Sequence, residues 1–115
     1  MIEVTFKKKS DLLLGFHVEG HAEYFDLDED TVVYDDVVCG CVSNLAQVTI
    51  LGVLEVLKLK PSYVAEEGNI QLNVENLSKE EITSTQVLLK TMLLGINNLE
   101  ISYGKYIKVL VEEVH

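Results

Sequence analysis

The sequence predicts an α+β fold of two layers, one mostly antiparallel sheet carrying two helices, in the order ββαββαβ. Three observations predict it. Apolar and polar residues alternate with period two near the N-terminus and again around residues 63–75, as half-buried strands do. Two longer stretches are apolar with helical spacing. The chain has 115 residues, 48% of them hydrophobic and 24% charged, which makes one globular domain, 1–115, with one modest core.

The elements follow in order. Ile2, Val4 and Phe6 alternate with Glu3, Thr5 and Lys7 in a first strand. Leu12, Leu14, Phe16 and Val18 alternate with Leu13, Gly15, His17 and Glu19 in a second, and the intervening "KKKSD" is a hairpin turn. His17 and Glu19 share the outer face of that strand, which makes His17 a surface residue. Residues 20–36 show no period and read as a loop. From residue 37 to about 58 the pattern is helical and apolar nearly all round, with Val38, Val42, Leu45, Val48, Ile50, Leu51, Val53, Leu54 and Leu57. Such a helix is buried on most faces. One small sheet cannot cover it, so a second subunit is expected to help.

Pro61 stops that helix. Residues 63–75 form a second hairpin turning at "EEGN", with Ile70, Leu72 and Val74 toward the core. "SKEE" at 78–81 is a capping box opening a helix whose stripe is Ile82, Leu89, Met92 and Ile96. Residues 106–114 make the last strand.

Charge and cysteine usage narrow the function. A formal net charge of −10 repels phosphate backbones, so no direct nucleic-acid binding is expected, and it attracts basic partners. The N-terminus lacks the apolar block of a secretion signal. No apolar run reaches the roughly 18 residues of a membrane span. Cys39 and Cys41 are the only cysteines and stand too close together to pair. A cytoplasmic chain with reduced thiols is expected.

The candidate chemistry lies between residues 20 and 44. Asp36 precedes the apolar helix and is its natural N-cap, with Asp35 next. Cys39 then falls in the first turn. There the helix dipole and unpaired N–H groups lower a thiol's pKa and can hold an oxyanion. A nucleophilic cysteine needs a base, and His21, beside flexible Gly20, is the available one. Ser43, one turn after Cys39, shares its face. Cys41 points to another side, into the apolar body of the helix. The bland alternative is that Cys39 is a small packed hydrophobe.

Two rival sites are weighed. His17, His21, Cys39 and Cys41 are donors that zinc or copper accepts. On a helix, however, residues two apart point about 200° apart, so both cysteines cannot share an ion there. Asp26, Asp28 and Asp30 match the start of an EF-hand loop, but Thr31 stands where Gly is needed and Val37 where the bidentate Glu belongs. The seven acids from Glu23 to Asp36 are a solvated loop that attracts basic substrate. No cofactor is expected.

"GHA" at 20–22 and "DVVCGCVS" at 36–43 together resemble the ribosomal-processing cysteine proteases of the Prp family. In that family Gly-His-Ala follows a β-hairpin and Asp-Ile-Val-Cys-Ala-Ala-Val-Ser opens a helix. Size and element order are also similar, so the resemblance covers essentially the whole chain. It implies Cys39 as nucleophile and His21 as general base, supported by Gly20, Asp36 and Ser43. It also implies a homodimeric endopeptidase that removes the N-terminal extension of a basic ribosomal protein, number twenty-seven of the large subunit. Two departures stand out. Seventeen residues separate His21 from Cys39, more than the family's usual gap, and the usual Gly before the motif Asp is absent. Cys41 stands where the family has Ala. The rival from another class is a non-catalytic ribosome-associated binding protein.

Overall fold

The computed structural model describes residues 1–20 and 29–115, with the backbone alone over 29–36. The strands are β1 (Ile2–Lys9), β2 (Leu12–Glu19), β3 (Ser62–Glu66), β4 (Asn69–Asn73) and β5 (Ile107–Glu113). The helices are α1 (Glu29–Leu51) and α2 (Lys79–Tyr103). A π-helical turn, Gly52–Val56, closes α1. The order is the expected ββαββαβ. The five strands form one mixed sheet, β3-β4-β2-β1-β5, in which β5 runs parallel to β1 and every other pair is antiparallel.

Alternation makes one sheet face apolar, and both helices lie on that face. Ile2, Val4, Phe6, Phe16, Val18, Ile70, Leu72 and Ile107 are buried beneath Val38, Val42, Ala46 and Val53 of the first helical segment and Leu89, Met92 and Ile96 of α2. Phe6 and Phe16 are cross-strand partners, with ring centroids 5.8 Å apart and planes tilted by 47°. Such a pair adds about 0.5–1.5 kcal/mol beyond its area burial.

Strict alternation fails at one point in β2. Lys7 faces Gly15 but Lys8 faces Leu13, so Leu14 is an extra residue in the ladder. The bulge turns Leu13, expected on the outer face, into the core. Gly15 sits at φ 155°, and a Cβ there would stand 2.1 Å from the Leu72 carbonyl oxygen.

The first helix begins earlier than the sequence pattern predicts. Residues 29–36 are its first turns, not loop. The cause is visible in retrospect: Tyr34 and Val38 continue, at i+4 spacing, the row of Val42 and Ala46. Glu29 and Asp30 at its start also suit the positive end of the dipole. Asp36 is therefore an interior helical residue and cannot be the N-cap.

Contrary to the expectation that no apolar run reaches a membrane span, the stretch Val37–Val56 is long and apolar enough, by length and composition, to cross a membrane. Here it packs as a core helix, with Val38, Val42, Ala46, Ile50 and Val53 buried. Burial covers one face only, whereas the pattern predicts burial on most faces. Val37, Val48 and Leu51 remain exposed, as do Val87, Leu94 and Ile101 on α2.

α2 starts as predicted. Ser78 Oγ accepts from the Glu81 N–H at 3.2 Å, and the Ser78 N–H donates to Glu81 Oε1 at 3.0 Å.

Candidate active site

A narrow cleft opens where the first helix crosses one end of the sheet. Its floor is apolar, made by Ile2, Val18 and Ile70. Cys39 and Ser43, one turn apart on α1, form one wall. Gly20, Gly68 and Asn69 form the other.

Each wall follows from local sequence. Gly20, directly after β2, has φ 115°, and a Cβ there would meet the Met1 carbonyl oxygen at 2.5 Å. Only glycine fits that approach. Gly68 is the second residue of the two-residue turn joining Glu66 to its partner Asn69, and its φ of 76° again suits glycine. On α1, spacing of four puts Cys39 and Ser43 on one side. Cys39 is half-buried and packs against the core, while Cys41 is exposed.

That exposure corrects one expectation, since Cys41 does not point into the apolar body of the helix. The helix start corrects a second. Cys39 follows Glu29 by ten residues, so it is well past the first turn. Dipole and unpaired N–H effects fade beyond that turn, so neither activates Cys39 nor supplies an oxyanion hole from this helix.

His21 lies outside the described residues. Its chain neighbour Gly20 lines the cleft that holds Cys39. Asp36 belongs to the helical backbone one turn before Cys39. His17 is on the sheet face away from the helices, as expected: its Nε2 lies 2.9 Å from Asn69 Oδ1 and 3.7 Å from Glu19 Oε2. Among the described residues, His17, Cys39 and Cys41, three of the four donors of the metal alternative, are not brought together. Gly68 and Asn69 were not anticipated as site residues. The turn signal "EEGN" was visible, but only the adjacency of β4 and β2 carries it to Cys39.

The structure defines an α+β layer protein with a half-buried cysteine at one end of its sheet. Comparison with known proteins gives the family. The chain belongs to the Cysteine protease Prp family, which matches residues 1–108. It is therefore a cysteine protease. The fold is similar to that of S. aureus ribosomal processing protease Prp in complex with a substrate peptide, at TM-score 0.77 and 18% identity over 97% of this chain and 100% of that one. The same S. aureus protease with a covalently linked product peptide aligns at TM-score 0.74 and 18% identity, with the same coverage. SMU.848 from Streptococcus mutans aligns at TM-score 0.75 and 23% identity over 99% of this chain and 96% of that one. No curated protein sequence matches the chain.

Proposed function

We propose that the protein is a processing endopeptidase with a Cys39–His21 dyad, which removes the N-terminal extension of a basic large-subunit ribosomal protein, number twenty-seven. The observation that carries this reading is the cleft itself. It sets Cys39 beside Gly20, the neighbour of His21, in a chain of the Prp family. The covalently linked product peptide in the S. aureus protease is consistent with acyl-enzyme chemistry.

His21 takes the Cys39 proton, and the thiolate Sγ attacks the scissile carbonyl carbon. The tetrahedral intermediate collapses to a thioester as His21 protonates the departing amine. Water, deprotonated by His21, then attacks the thioester, releasing the carboxylate product and restoring the thiol. Ser43, which lines the same pocket as Cys39, is the residue to which we assign support of the dyad. With a base supplied by His21, the reaction does not depend on a helix N-terminus. A reactive thiol needs a reducing compartment, and the ribosomal substrate is made in the cytoplasm, where we place the reaction.

The test is mass spectrometry of the purified protein mixed with the host's extended ribosomal precursor. A new N-terminus at one position is expected, absent with Cys39→Ala and with His21→Ala. Cleavage that persists in Cys39→Ala sinks the reading. Tight binding of the precursor with no cleavage by the wild type favours the non-catalytic alternative.

A further inference from the structure

The tetrahedral intermediate of acyl transfer carries a negative oxygen, and such a site holds it with N–H or O–H donors fixed in advance. The α1 backbone is not free for that task. Cys39 lies in the helix interior, where its own N–H is bonded back to the carbonyl four residues earlier. Among the described residues, the facing wall of the cleft is the remaining source of backbone donors.

That wall allows close approach. Gly68 is the second residue of the turn joining β3 to β4, with φ 76°. It has no side chain to hold a substrate carbonyl away. Its N–H makes no hydrogen bond among the described residues. The next residue anchors it. Asn69 is paired in the sheet on both sides, with Glu19 of β2 and Glu66 of β3. Asn69 Oδ1 accepts from Gln71 Nε2 at 3.0 Å and lies 2.9 Å from His17 Nε2. These ties fix the end of the turn before substrate arrives.

Size agrees with this role. The space that Cys39 and Ser43 share with Gly20, Gly68 and Asn69 is about 10 Å³. A cavity of that size is about the least that holds one water molecule. It takes an oxygen atom and excludes a side chain. Its floor of Ile2, Val18 and Ile70 is apolar, so a hydrogen bond made there is stronger than in water.

We propose that this space is the oxyanion pocket and that the Gly68 N–H is a donor in it. As Cys39 Sγ bonds to the scissile carbon, the carbonyl π pair moves onto oxygen. Gly68 donates a hydrogen bond to that oxygen and keeps its proton. When the C–N bond breaks, the pair returns to the carbonyl, now a thioester, and His21 protonates the amine as before. This role rests on the assignment of Cys39 as nucleophile.

The experiment removes this one donor. Chemical synthesis of the 115-residue chain with glycolic acid at position 68 replaces the N–H by an ester oxygen and leaves every side chain unchanged. With a peptide spanning the cleaved bond, kcat should fall about 100- to 1,000-fold, the usual effect of deleting one oxyanion donor, while KM changes little. Alkylation of Cys39 by iodoacetamide forms no oxyanion, so its rate should stay that of the wild type. An unchanged kcat overturns the donor. So does a fall in alkylation rate that matches the fall in kcat, because the turn would then act on the thiol. A second measurement uses the unmodified protein. A peptide aldehyde forms a hemithioacetal with Cys39 and should move the Gly68 amide proton downfield. A Gly68 resonance that stays in place while Cys39 is modified overturns the donor even where the ester chain fails to fold. Cys39→Ala keeps the two readings apart. Cleavage that survives in it removes the nucleophile, whereas loss of cleavage in it beside a fully active ester chain removes only the Gly68 role.

Discussion

Gln86 of α2 pairs with the backbone of Leu13 as a neighbouring strand would. The Leu13 N–H donates to Gln86 Oε1 at 2.7 Å, and Gln86 Nε2 donates to the Leu13 carbonyl at 2.8 Å. Leu13 lies at the bulge, beyond the Gly15–Asn73 pair where the β4 ladder ends, so no strand supplies these bonds. Both residues are buried. The carboxamide satisfies two backbone groups that would otherwise be buried without partners.

Removing the carboxamide should therefore destabilise far more than its size implies. Gln86→Met keeps volume and leaves both Leu13 groups unsatisfied. The expected loss is about 2–6 kcal/mol, from roughly 1–3 kcal/mol for each of the two orphaned groups. Urea unfolding measures it. A loss below about 0.5 kcal/mol, the range of ordinary surface changes, would mean water replaces the side chain.

Two glycines make opposite predictions. Gly15→Ala drives a Cβ to 2.1 Å from the Leu72 carbonyl oxygen, so β2 and β4 must separate or the chain must fail to fold. Gly40 lies in the helix with nothing within 4 Å of a Cβ. Gly40→Ala should stabilise by about 0.5–1 kcal/mol, the helix-propensity difference. Thermal unfolding of the two variants reads both signs.

The strands and α2 were legible because each pattern had a single cause. Period two marks Ile2, Val4 and Phe6, and the Ser78–Glu81 box marks a helix start. The start of the first helix was not legible. Asp35 and Asp36 imitate a cap, and they interrupt a row in which Tyr34 precedes Val38, Val42 and Ala46. That error carried Cys39 into a first turn it does not occupy. Leu13 misled for a different reason, since a bulge shifts the period by one residue without a local marker. Cys39, Ser43 and Gly20 were all found as candidates, and the cleft brings them together. Gly68 and Asn69 join them only through strand order, which no local pattern records.

The two cysteines separate by accessibility in a way the helix alone did not predict. Cys41 is exposed, so a bulky maleimide should reach it readily. Cys39 is half-buried in the cleft, so a peptide spanning the cleaved bond should protect it and leave Cys41 unprotected. Cys41→Ser should keep cleavage and change stability by no more than about 0.5 kcal/mol, as at other exposed positions. Peptide mapping of the labelled protein checks this. Protection of Cys41 instead of Cys39 would put the substrate on the wrong side of the helix.

The last prediction concerns the homodimer that the family resemblance implies and the face it would use. On α2, Val87, Leu94 and Ile101 recur every seven residues and are 75%, 70% and 84% exposed. They lie on one side of the helix, turned away from the sheet that buries Leu89, Met92 and Ile96. Val37, Val48 and Leu51 are exposed on the neighbouring helix. Two copies meeting through these helices would bury both apolar stripes and leave the open sheet faces apart. The competing contact is the β5 edge, where Leu110 and Val111 are exposed. Lys108, Glu112 and Glu113 on that short strand discourage edge-to-edge pairing. Leu94→Glu should therefore convert the dimer to monomer in sedimentation, while its circular dichroism stays that of the wild type, because the residue is exposed within each copy. Leu110→Lys should leave the dimer intact. A dimer broken by Leu110→Lys and untouched by Leu94→Glu would move the contact to the sheet edge, and a wild type that sediments as a monomer would end the proposal.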